Sequence, residues 1–143
     1  MALTPSQIDD VLAVLDQYSC AYQEKNSEKI RSLVSPGISG FGSGPDEVVT
    51  DPAQFRRQIE RDLSQADSVS LALCVLKLDG QMPFAWVTAF CGFRVMVRGE
   101  AILLDGRMTA LLRNTGSRWL FEQIHFSLPD ECQDAGESYP GSA

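Results

Sequence analysis

Trp119-Leu120-Phe121-Glu122-Gln123-Ile124-His125-Phe126-Ser127-Leu128-Pro129 is the stretch on which the fold class turns. Asn114-Thr115-Gly116-Ser117 before it has turn composition, and Pro129 cannot donate to a ladder. A strand is therefore predicted from Arg118 to Leu128. Alternation sets Trp119, Phe121, Gln123, His125 and Ser127 on one face, with Leu120, Glu122, Ile124, Phe126 and Leu128 on the other.

Three more strands precede it. Ala101 to Arg113, Phe84 to about Val97, and Val69 to Leu78 all alternate, with Asp79-Gly80 as a turn and Gly92 and Gly106 as candidate bends. Further upstream the period becomes helical. Thr4, Pro5 and Gln7 form a capping signal for a first helix with Ile8, Val11, Leu12, Leu15, Tyr18 and Tyr22 on one stripe. Ser27 can cap a short second helix that Pro36-Gly37 ends. Asp51 caps a third, whose stripe is Phe55, Ile59 and Leu63 and whose solvent side is Arg56, Arg57, Glu60, Arg61 and Asp62. Between the last two, Gly37 to Pro45 reads as a short bulged strand running into a loop. It has neither the Lys-Ser/Thr of a phosphate loop nor a G-x-G-x-x-G order. Helices first and strands after them predict an α+β domain whose antiparallel sheet curves strongly around the helices.

The chain has 143 residues and a net charge of −7. This length favours one domain, which can bury roughly 70% of its unfolded surface. The acidic balance argues against nucleic acid and anionic membrane as partners. Cys20, Cys74, Cys91 and Cys132 are widely spaced, and His125 is the single His, so no metal site is expected. No basic leader followed by an apolar run and no spanning-length apolar segment is visible, which predicts a cytoplasmic setting with free thiols. Residues 130–143 are acidic and small, and read as a disordered tail.

Arg107-Met108-Thr109 through Trp119 to His125-Phe126-Ser127 resembles the closing strands of SnoaL-like domains. These belong to the nuclear transport factor 2-like superfamily, which also holds ketosteroid isomerase. Phe41-Gly42-Ser43-Gly44-Pro45-Asp46-Glu47 and Phe84-Ala85-Trp86-Val87 carry the resemblance further, over nearly all of residues 1–129. It implies a cone-like sheet around the N-terminal helices and a homodimer through the sheet's outer face. Some relatives, such as the calcium/calmodulin-dependent kinase association domain, carry arginines where Thr88, Ala110 and Phe126 stand here. Their loss implies an apolar or neutral ligand rather than an anion.

Parity sorts the candidates. Arg107, Thr109, Gln123, His125 and Ser127 fall on the outer face, as the expected dimer contact; Met108, Ala110, Ile124 and Phe126 fall inside. His125 is either a general base or an interface residue, and parity favours the interface. Phe41, Trp86, Thr88, Phe90, Met108 and Phe126 are the expected pocket wall. Asp46 and Glu47 lie close to where ketosteroid isomerase places its base. Tyr18 and Tyr22 could donate to a ligand carbonyl, as a Tyr does in that enzyme. Solvated acids and core tyrosines are the alternatives for these four. The expected function is a cofactor-free small-molecule-binding domain with possible isomerase, lyase or cyclase activity. A non-catalytic dimerisation or regulatory module is the alternative.

Overall fold

A computed structural model describes residues 2–141. Helix α1 (Pro5–Gln23) starts at the predicted box: Thr4 Oγ1 accepts from the Gln7 N–H at 3.2 Å, and Gln7 Oε1 accepts from the Thr4 N–H at 2.8 Å. Helix α2 (Ser27–Ser32) is capped by Asn26 rather than Ser27, through Asn26 Oδ1 and the Lys29 N–H at 3.0 Å. Strand β1 (Val34–Phe41) runs through Pro36-Gly37, which therefore lies inside a strand instead of ending a helix. A two-residue β2 (Val48–Val49) follows, then α3 (Pro52–Ser64) behind its Asp51 cap.

Four long strands complete the chain: β3 (Ser68–Gln81), β4 (Phe84–Val97), β5 (Glu100–Asn114) and β6 (Trp119–Ser127). The β3–β4 turn falls at Met82-Pro83; Asp79 and Gly80 pair with Trp86 and Ala85 inside the ladder. One sheet results, in the order β2-β1-β6-β5-β4-β3, antiparallel except for β1 against β6. The fold is the curved α+β arrangement the sequence predicts. Its core lies between the concave face and the helices, with Val11, Ile30, Ile38, Val87, Leu112 and Phe121 fully enclosed.

Irregularities in pairing explain where simple alternation fails. Between Leu111 and Leu112 the β5–β6 register shifts, so Glu122 is an extra residue opposite no partner. This bulge turns Phe121 inward with Ile124 and Phe126, while Gln123 and His125 stay outside. A second bulge in β3 leaves Leu76 unpaired and exposed. In β4 the inward residues are Ala85, Val87, Ala89 and Cys91, alternating with exposed Phe84, Trp86, Thr88 and Phe90. Along this stretch the concave side of the bent sheet takes the small side chains and Phe84, Trp86 and Phe90 go outside, whereas Phe93, farther along β4, turns inward.

Residues 130–141 form turns without helix or strand, and the Gly141 N–H donates to the Cys132 carbonyl at 2.6 Å. No helix among the described residues is long and apolar enough to cross a membrane.

Gly106 is required by close approach. A Cβ there would meet the Phe126 ring and stand 2.6 Å from the Ser127 carbonyl oxygen. Gly106→Ala is expected to lower stability by about 1–3 kcal/mol, as overpacking does. Chemical denaturation measures this, and an unchanged midpoint would show that β6 yields without strain.

Candidate functional site

A cavity of about 880 Å³ opens between α1, α3, β1 and the β4–β5 hairpin. Its walls are mostly apolar: Ile38, Val49, Phe55, Ile59, Phe93 and Phe126 are among them. Beside Asp67 and Arg98 towards the β4–β5 hairpin, three elements supply the polar groups that matter most. Helix α1 supplies Tyr18 and Tyr22, the loop after β1 supplies Glu47, and α3 supplies Gln58 and Asp62.

Tyr18 and Tyr22 are one helical turn apart and both buried. Their rings meet edge-on at 5.1 Å, and the hydroxyls are 3.4 Å apart. One hydrogen bond between two phenols leaves one O–H proton of the pair with no acceptor among the described residues. Burial pushes both phenols above their ordinary values, with Asp62 adding to the rise. They are neutral donors at any physiological pH. Phe121, Phe93 and Phe126 hold them through a chain of tilted and edge-on ring contacts.

Asp62 is the residue that sequence reasoning missed. The spacing Phe55, Ile59, Leu63 assigned it to the solvent side, yet it is half-buried and lines the cavity. Phe55, Gln58 and Asp62 are three and four residues apart, so they continue one another along the helix; that spacing was the available signal. Gln58 Nε2 donates to both Asp62 Oδ1 at 2.8 Å and Glu47 Oε1 at 2.9 Å, bridging the two acids. Burial and then the Glu47 charge push Asp62 up to about 6, against the Gln58 hydrogen bond and Arg61.

The predicted acids separate. Asp46 is exposed and pairs with Arg61 at 2.6 and 3.2 Å, and that guanidinium holds its carboxyl below the ordinary value. It lies away from the cavity wall. Glu47 does line the cavity but is anchored by the Gly44 N–H, Gln58 and, at 3.7 Å, Arg61. Of the expected pocket wall, Phe126 lines the cavity. Phe41 lines its edge, exposed, with its ring 5.5 Å from the His125 ring. Trp86, Thr88 and Phe90 stand on the opposite, outer face because β4 takes its small residues inward, and Met108 is buried in the core away from the cavity. Arg107, Thr109, Gln123 and His125 are exposed on the outer face, with Ser127 half-buried. Among the described residues no three His, Cys, Asp or Glu side chains are placed to hold a metal ion.

The model of the SnoaL-like domain family matches residues 11–131. The chain belongs to that family, and its fold is similar to that of nuclear transport factor 2-like proteins. Similar solved structures include a nuclear transport factor 2-like protein from Streptomyces avermitilis proposed as a dehydratase. It has a TM-score of 0.80 and 17% identity over 89% of this chain and 99% of that one. A nuclear transport factor 2-like protein of unknown function from Pseudomonas putida also has a TM-score of 0.80, at 14% identity over 97% and 99%. A proposed scytalone dehydratase from Novosphingobium aromaticivorans has a TM-score of 0.75 at 12% identity over 87% and 85%. No curated protein matches the sequence significantly.

The Asp62 environment has a consequence for stability. Its folded value of about 6 lies above the ordinary 3.8, so the folded state binds the proton more tightly. Stability therefore falls as pH rises through this window, and the loss is complete above it. A rise of that size corresponds to about 3 kcal/mol at most. Asp62→Asn is expected to raise stability at neutral pH by roughly 1–3 kcal/mol and to change little near pH 4. Urea unfolding at both pH values checks this; equal effects at both would remove the buried-charge explanation.

Proposed function

We propose that this SnoaL-like domain binds a mainly apolar small molecule carrying an acceptor oxygen and moves a proton on it without a cofactor. The reaction would be of isomerase, lyase or cyclase type, and the four free thiols suit a reducing, cytoplasmic setting. The observation that supports it is the half-buried Asp62 carboxylate in the same cavity as two buried phenols. A base works best when its pKa lies near the working pH, and burial brings Asp62 there. A neutral phenol aimed at a carbonyl oxygen stabilises the negative charge that forms when the neighbouring carbon loses its proton. Asp62 would take that proton and return it to another carbon or to a leaving hydroxyl. Asp62 thus replaces Asp46 and Glu47 as the base, and Glu47 tunes it by charge. The open cavity weighs against the purely structural alternative, which needs a filled interior. Two structural neighbours proposed as dehydratases suit the lyase option.

The test is proton–deuterium exchange at carbons next to the carbonyl in a panel of cyclic ketones, followed by NMR. The domain is expected to accelerate exchange for some of them, with the rate falling as pH drops through about 6. Asp62→Asn should cost about 100-fold, while Asp46→Asn should leave the rate unchanged. Acceleration that survives Asp62→Asn would sink the assignment.

The outer face supports a second property, a homodimer. Leu76, Phe84, Trp86 and Phe90 are exposed together there, beside the polar set Arg107, Thr109, Gln123, His125 and Ser127. A contiguous apolar patch on a sheet marks an association surface. Sedimentation analysis is expected to find a dimer, and Trp86→Glu to weaken it by at least roughly 10-fold. A variant that dimerises as tightly would move the contact elsewhere.

A further inference from the structure

The cavity's polar end is unevenly charged. Among the lining residues Glu47, Asp62 and Asp67 are acidic, and Arg98 on the β4–β5 hairpin is the one base. Arg61 is divided between Asp46 and Glu47, leaving the Gln58 amide as the hydrogen-bond donor to Asp62 among the described residues. A half-buried carboxylate so poorly compensated is stabilised by a proton or by a cation. The rings of Tyr18, Tyr22, Phe55 and Phe93 line the same space, and aromatic faces attract ammonium groups. The chain's net charge of −7 draws cations and repels anions at longer range. Independently, the buried tyrosine pair carries one more O–H proton than its mutual hydrogen bond uses, a donor that suits an acceptor oxygen on a ligand.

We infer that the cavity takes an apolar amine: a hydrophobic body with a basic nitrogen directed to Asp62 and an oxygen acceptor for the tyrosine pair. This rests on the reading of the cavity as a ligand site; such an amine competes with a proton-transfer substrate, because its ammonium occupies the carboxylate that would act as base. The ammonium takes the place of the proton that Asp62 otherwise holds. Binding is then coupled to proton release near and below pH 6, where Asp62 is protonated in the empty cavity. The charged and titratable groups around Asp62 are Glu47, Arg61, Tyr18 and Tyr22, and the tyrosines stay neutral in that range.

Three probes of one size separate the possibilities: phenylbutylamine, phenylbutanol and phenylbutyrate, titrated calorimetrically into the full chain at neutral pH. The amine is expected to bind at least roughly 10-fold more tightly than the alcohol, and the acid least tightly. Asp62→Asn should bring the amine down to the level of the alcohol. Should that variant misfold, the wild-type protein serves: amine binding near pH 5.5 should release protons, read from heats in buffers of different ionisation enthalpy. Alcohol binding as tightly as the amine, or acid binding more tightly, overturns the amine assignment and leaves the ligand site standing. Failure of all three to bind overturns both.

Discussion

Strand β6 is the member on which the other elements depend. It pairs with β5 on one side and with β1, in parallel, on the other, so it joins the C-terminal meander to the N-terminal half. The Phe121 N–H donates to the Leu33 carbonyl at 2.9 Å, tying the end of α2 to the same strand. Phe121 itself is fully buried against Tyr18. These contacts place α1, β1 and the sheet around a common interior. Close backbone approach on both flanks, at Gly40 under Ile124 and at Gly106 beside Phe126, lets β6 sit deeply enough for the sheet to curl.

The curvature explains the two faces. Inside, the small residues of β4 are buried in the core, and the cavity opens farther along the same strand, at Phe93, Val95 and Val97. Outside, the rings of Phe84, Trp86 and Phe90 are spread over the convex surface. Acids are tolerated inside only because Gln58 spans them and Arg61 stands behind. The arrangement holds charge in a place where a fully packed domain would have apolar side chains, and stability is lost for it.

The order of elements, the first-helix cap and the long strands were legible because each rests on local chemistry: Thr4 with Gln7, Asp51 with Pro52, and alternation over many residues. Site geometry was less so. Large aromatics in β4 looked like pocket walls, because alternation sorts residues into two sets without saying which set faces in; curvature decides that, and curvature is a property of the whole sheet. Phe121 changed sides through one bulge, at Glu122, that leaves no composition signal. Asp62 was hidden because a charged residue directly after Glu60 and Arg61 looks solvated, and the loop carrying Glu47 folding against α3 encloses it.

The bulge at Leu76 lies in β3, which is an outer strand of the sheet and fourteen residues long. Such a strand displays free backbone donors and acceptors to any other extended chain. The inserted residue breaks the regular spacing of those groups midway, and Lys77 beside it brings a charge that an incoming strand would have to bury. The free edge is thereby a poor template for β-addition. Copies of this chain are steered away from open-ended ribbons.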